Sequence, residues 1–213
     1  MKFLKKWIPI IILFVIVIIF GLNMCGISEL YIKSTNPLWF KHHQTEPKNK
    51  IKTKEPNTAE ENSKTELNQE KKDIILIASW IYDNNTRVDN LSAIIYADFI
   101  YRKTAHPYLI VAIISKESNF RPCARSSIGA LGLGQIRPEM WLDELEYLGL
   151  TEAKDLYNWR LNVMCMDHII NKLLKKFNND IDKVLKYYVG GNHTKYINSV
   201  KNIIKDLVIQ KKG

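Results

Sequence analysis

Cysteine is scarce in this chain of 213 residues: three occur, at Cys25, Cys123 and Cys165. They allow one intramolecular bridge at most, so no disulfide scaffold holds the fold. Glycine (9) and proline (7) are few, which excludes a collagen-like or low-complexity chain. No stretch alternates apolar and polar residues in the manner of a strand. The adjacent His42 and His43 lack partners at metal-ligand spacing. No Gly-x-Ser-x-Gly elbow surrounds Ser115 or Ser118, which argues against a serine hydrolase. Acidic residues are outnumbered, 22 against 31 Lys and Arg, for a formal net charge of +9. Apolar residues, at 46%, are ample for a core and exclude a wholly disordered chain.

The averages conceal three different polymers in series. Lys2, Lys5 and Lys6 precede an apolar run over residues 7–27 whose strongly polar member is Asn23. About 20 such residues suffice to cross a bilayer as a helix, and the flanking lysines place the N-terminus in the cytoplasm. A cleaved signal peptide needs small residues after its apolar core, which Asn23-Met24-Cys25-Gly26 fits badly. The expectation is an uncleaved anchor over 1–27. Residues 28–72 follow as a polar tether rich in Lys, Glu, Asn, Thr and Gln, too poor in apolar surface to offset ordering entropy. Its charges alternate in sign, so it reads as a disordered spacer and not as a nucleic-acid-binding arm.

From Asp73 to Gly213 the pattern turns helical. Ile74, Ile77, Ala78 and Ile81 recur on one face before the turn-forming Asp83-Asn84-Asn85. Asp89 or Asn90 can cap a second helix carrying Leu91, Ile94, Ile95, Phe99 and Ile100. His106-Pro107 starts a third helix, Tyr108–Glu117, which is apolar nearly all round, as a helix at a domain centre would be. Further helices are expected over 138–148, 160–177, 180–189 and 193–209. The fold class is therefore mainly α, in one domain of about 140 residues.

Glu117 closes the apolar helix and precedes Ser118-Asn119-Phe120-Arg121-Pro122. A carboxylate at a helix end is ordinarily a solvated one. This one faces the negative end of the helix dipole and apolar neighbours, both of which favour its protonated form. A neutral carboxylic acid near pH 6–7 is what general-acid cleavage of a glycosidic bond requires.

Three spaced elements sharpen that reading. Glu117-Ser118, Ser126 nine residues after Glu117, and Gly132-Leu133-Gly134-Gln135 with Gln135 eighteen after it resemble the lytic transglycosylases with a soluble-lytic-transglycosylase (SLT, goose-lysozyme-like) domain. Leu156–Val163, Leu185-Lys186-Tyr187-Tyr188-Val189-Gly190-Gly191 and Tyr196–Val200 resemble later family segments, the second its Ala-Tyr-Asn-Ala-Gly motif. The resemblance covers the folded domain and implies a lysozyme-like helical fold. By it, Glu117 is the single acid/base, Ser126 bonds near Glu117 and the substrate's N-acetyl group, and Gln135 binds the sugar. Tyr188 hydrogen-bonds and orients Glu117, while Tyr196 lines the same cleft. Gly134 replaces the family's usual Met, Arg137 an apolar residue, and Val189 the Asn of Ala-Tyr-Asn.

The implied activity is cleavage of the β-1,4 bond between N-acetylmuramic acid and N-acetylglucosamine in peptidoglycan, leaving a 1,6-anhydro sugar. No cofactor and no metal is implied. Glu139 and Asp143, the next carboxylates, fall on no family motif. A lysozyme-type hydrolase or phage endolysin on the same fold remains an alternative, as does a degenerate glycan-binding domain of an envelope complex. The expected partners are peptidoglycan strands, the inner membrane through residues 7–27 and envelope machinery, with no nucleic acid; the catalytic domain would face the periplasm. Cys123 and Cys165 are either a disulfide or two buried thiols. Trp141 and Trp159 read as core residues that can also stack on sugars, and His168 as a core or surface residue.

Overall fold

A computed structural model of the chain describes residues 56–211, with side chains from Thr65 onward. The anchor expected over 7–27 and the first part of the tether lie outside the described residues. Among those described, no helix is long and apolar enough to cross a membrane.

The first helix, α1, runs Pro56–Asn84. It therefore includes residues 56–72, which were expected to be disordered. This segment lacks glycine and is rich in the unbranched Glu, Gln and Lys that tolerate a helix. It is also tied down at its far end, where Gln69 Nε2 donates to Asp73 Oδ1 and Arg102 pairs with Glu70. Continuous burial begins at Asp73 and Ile74, and Ile77, Ala78, Trp80 and Ile81 carry the buried face onward.

A turn at Asn85–Val88 leads into α2, Asn90–Lys103, whose N-terminus is capped by Asp89 accepting from Ser92 N–H. Its buried face is Ala93, Ala97 and Ile100, not the bulkier residues. Leu91, Ile94 and Ile95 are exposed. The α1–α2 hairpin thus buries the small residues of α2 with Ile100 and leaves larger aliphatics outward.

Helix α3, Pro107–Glu117, is the central element, with Leu109 through Ile114 all buried. A run of apolar residues with no polar stripe can satisfy burial only when packed on every side. Helices α2, α5 (Trp159–Lys176) and α7 (Thr194–Gln210) supply that packing. The expected helix over 138–148 divides into a 3-10 turn, Pro138–Met140, and a short α4, Leu142–Tyr147. A second 3-10 turn, Ala153–Tyr157, was not anticipated. Helix α6 spans Ile181–Val189 and ends on Gly190 in the left-handed conformation. Isolated bridges pair Leu131 with Arg125 and Ile136; no strand forms among the described residues. Cys165 is a buried free thiol pushed up to about 12 by desolvation, so the Cys123–Cys165 bridge is not formed.

Candidate active site

Glu117 is the last residue of α3, and the backbone beyond it is held in an uncommon shape. Asn119 and Phe120 have φ of 51° and 55°, two consecutive non-glycine residues in the left-handed region. Such residues persist where surrounding contacts over-determine them. The buried Asn85 supplies one such contact, its Nδ2 donating to Asn119 O at 2.8 Å. Phe120 supplies another, buried beside Tyr96 with ring centroids 5.8 Å apart. The α1–α2 turn thus braces the point where the carboxylate leaves its helix.

A compact loop faces that point. Ser126 N–H donates to Ala130 O and Ser126 Oγ accepts from Ala130 N–H, both at 2.9 Å. Leu131 and Ile136 exchange both backbone bonds. The fully buried Asn162 of α5 joins three segments: it accepts from Gly134 N–H at 2.7 Å and donates to Leu131 O and Leu156 O at 2.9 Å. Gly132, with φ of 72°, lies so close to this amide that a Cβ would stand 2.2 Å from Asn162 Nδ2. Only glycine fits. Gly134 is crowded differently, its virtual Cβ 2.6 Å from Met166 Sδ. A methionine sulfur from α5 thus abuts the position where the family motif carries its own methionine.

Glu117, Ser126, Gln135 and Tyr188 line one cleft of about 170 Å³, together with Ile128, Ala130, Arg137, Met140, Trp141 and Val189. Glu117 is the one carboxylate among the described residues of that lining. Gln135 combines lining with bracing: its Nε2 donates to Gly132 O and Ala124 O, and its own φ is 49°. Arg137 is engaged by Glu139, whose Oε1 accepts from both Nε and Nη2.

The two tyrosines exchange the parts expected of them. Tyr196, from the first turn of α7, donates its hydroxyl to Glu117 Oε1 at 2.5 Å and is absent from the cleft lining. Tyr188, which does line the cleft, donates to Gly134 O at 2.7 Å instead of to Glu117. The resemblance brought both tyrosines to the site but gave them each other's roles, because each lies in a helix that reaches Glu117 only through tertiary packing. Asn162 and Asn85 were read as parts of a motif segment and a turn; their bracing roles need the folded partners to be seen.

The electrostatics match this enclosure. Desolvation raises Glu117 above the ordinary carboxylate value of 4.5, and the Tyr196 hydrogen bond offsets part of the rise. Burial next to Glu117 pushes Tyr188 and Tyr196 well up, so both stay protonated donors. Trp159 lies elsewhere, in ring contact with Tyr96 and Phe99 and under the Arg160 guanidinium. His168 stacks on Tyr147.

No solved structure matches the chain. The family model of the Transglycosylase SLT domain matches residues 92–208, more than half of the sequence and every element from α2 to α7. That span holds Glu117, the glycine loop, Asn162 and both tyrosines, and the family's activity is glycan cleavage of the lytic transglycosylase and lysozyme kind. The chain belongs to the transglycosylase SLT domain family.

Proposed function

We propose that this chain is a membrane-anchored peptidoglycan lytic transglycosylase in which Glu117 is the single acid and base. The observation that carries the reading is the state of Glu117: the one carboxylate lining the cleft among the described residues, raised by desolvation and held by a neutral donor. Two-carboxylate glycosidases flank the bond with a second acidic group, whereas exceptions recruit the substrate's own acetamido oxygen. A cleft lined by one carboxylate favours the second kind of chemistry.

Tyr196 bonds Oε1, so the proton of the neutral acid resides on Oε2. From there it passes to the oxygen leaving C1 of N-acetylmuramic acid as the C1–O bond breaks. The acetamido oxygen stabilises the cationic C1. Glu117, now a carboxylate, takes the proton of the C6 hydroxyl, and the C6 oxygen bonds C1 to close the 1,6-anhydro ring. The proton count returns to its start without water. Ser126, accepting from Ala130 N–H, keeps its own O–H to offer the acetamido group. Residues 7–27 anchor the chain in the inner membrane with the N-terminus in the cytoplasm, which puts the catalytic domain beside the wall on the outer side.

Mass spectrometry of peptidoglycan digested by the full chain, beside a Glu117→Gln control, tests this. Products ending in 1,6-anhydro-N-acetylmuramic acid, absent from the control, are expected. Reducing ends would make the protein a hydrolase, and an absence of products from the unaltered chain would leave a glycan-binding domain.

A further inference from the structure

Asn85 lies outside the matched family span and still reaches the acid. It sits on the turn between α1 and α2, ahead of residue 92, where the family match begins. Its side chain is 3% exposed, and both polar atoms are engaged. Oδ1 accepts from Arg87 N–H at 3.0 Å, within its own turn. Nδ2 donates to Asn119 O at 2.8 Å and to Asn119 Oδ1 at 3.1 Å, across 34 positions of sequence. Asp, Ser or Thr could make the first bond in such a turn equally well. The other two need an amide donor, which among these turn formers Asn alone carries.

What Asn119 does with those bonds bears on Glu117. The N–H groups of Ser118 and Asn119 both donate to Ile114 O, at 3.0 and 3.1 Å, so Glu117 lies inside a turn closed from Ile114 to Asn119. That closure has Asn119 at a φ of 51°, a conformation that is unfavourable for any residue with a Cβ. Asn119 is exposed, so burial does not hold it there. The amide of Asn85 does. On the other side of the turn, Glu117 Oε1 meets the Tyr196 hydroxyl, a bond that exists while the turn presents the carboxyl to α7. Among the described residues, the titratable groups acting on Glu117 are Tyr196 of α7 and Tyr188 of α6, both neutral. Asn85 adds no charge, so its influence is one of geometry.

We propose that Asn85 is a positioning residue for the acid: it holds Asn119 in the left-handed conformation, and the closed turn then keeps the Glu117 carboxyl under Tyr196. The α1–α2 hairpin, which lies partly ahead of the family's own span, thereby belongs to the working site. The inference rests on the proposed function for its effect on turnover, and on geometry alone for its effect on the carboxyl.

The test uses the full-length chain in detergent micelles with ¹³C-labelled glutamate, the Glu117 carboxyl signal being identified by its loss in Glu117→Gln. Asn85→Ser and Asn85→Thr each keep an oxygen for Arg87 N–H and lose the reach to Asn119; two variants are used so that a poorly folding one does not decide the outcome. The titration midpoint of Glu117 should rise in both, in the direction produced by Tyr196→Phe, and should rise no further when either is combined with Tyr196→Phe. Turnover of peptidoglycan per folded molecule should fall about three- to thirtyfold with KM held. Adding Asn119→Gly, which adopts positive φ without strain, should return the midpoint and the turnover toward wild type. A midpoint that stays or falls, a second rise on top of Tyr196→Phe, or a loss that glycine leaves unrelieved overturns the positioning role. Absence of products from the unaltered chain sinks the cleavage reading alone, because the titration is read without substrate.

Discussion

Asp73 and Glu117 are two carboxylates drawn out of water in one domain, and the fold treats them oppositely. At Asp73 burial raises the pKa, but the bonds from Lys211, Tyr101 and Gln69 outweigh it and hold the carboxyl below its ordinary value. Lys211 Nζ, Tyr101 Oη and Gln69 Nε2 all reach it within 3.0 Å. Those partners join α1, α2 and the end of α7, so the charge serves as a clasp between distant parts of the chain. Glu117 receives no cation among the described residues. Its one hydrogen bond among the described residues comes from the neutral Tyr196, and desolvation prevails. Burial is common to both, and the partners decide whether a carboxylate becomes a fixed charge or a proton carrier.

Glu117→Gln is the substitution that separates the two most widely. Glycan cleavage should fall about 10²- to 10⁴-fold, the usual share of a positioned acid. Stability should move the other way. The folded pKa of Glu117 is raised, so the folded state binds the proton more tightly than the unfolded one, and the wild type loses stability as pH rises from 4.5 through the raised value. Thermal melts should therefore show the glutamine variant gaining over the wild type above pH 4.5, with the gap closing below it. A variant that is inactive but no more stable at pH 8 would sink the idea that Glu117 is held at a desolvation cost.

Asp73→Asn should show the converse, with stability lost and chemistry kept. Removing a charge from a fully buried pair costs about 3–5 kcal/mol, and here about 1–3 because Lys211 remains 38% exposed. The sign with pH is reversed as well. A depressed folded pKa gives stability that is present above 3.8 and lost as pH falls through the lower folded value. Denaturant melts across pH 2–7 should find the wild-type advantage over Asp73→Asn shrinking at the acid end, while activity per folded molecule is unchanged. An activity loss at full folding would break the division between clasp and site.

The sequence was informative where function or burial is periodic. The central helix showed itself through six consecutive apolar residues, and the spacing of Glu117, Ser126 and Gln135 brought out one face of the cleft. It was silent where a role depends on what arrives from elsewhere. Nothing local to Asn162 reveals that its amide will join Gly134, Leu131 and Leu156, or local to Asp73 that Lys211 will reach it from 138 residues away. Aliphatic pattern also misled in α2, where Ala93 and Ala97 are buried and Leu91 and Ile95 lie outside. Residues 56–72 lie in α1, since a polar composition denies a core but does not forbid a helix anchored at one end.

Tyr196→Phe probes the Glu117 half of the comparison with a smaller effect. The lost hydroxyl removes the one group among the described residues that lowers the Glu117 pKa, so the alkaline limb of the pH–rate profile should move to higher pH. Turnover should fall about tenfold, in the range for a hydrogen bond to a group that becomes charged. KM should hold, because Tyr196 is not part of the cleft lining. A KM rise with an unmoved limb would mean that Tyr196 touches substrate instead of the acid.

Tyr188→Phe completes the set with the smallest change. Its hydroxyl serves Gly134 O, so the deletion leaves a buried carbonyl unsatisfied, at about 1 kcal/mol of stability, and loosens the loop that carries Gln135. Activity should drop a few-fold, through binding more than through turnover, since the acid keeps its partner. The alkaline limb should stay where the wild type has it, because Tyr188 gives Glu117 no hydrogen bond. The two phenylalanine variants therefore decide between the family expectation and the observed geometry. A shifted limb in Tyr188→Phe with none in Tyr196→Phe would return the orienting role to Tyr188. The opposite pattern ties proton placement on Glu117 to α7, a helix whose far end leads to the Asp73 clasp through Lys211.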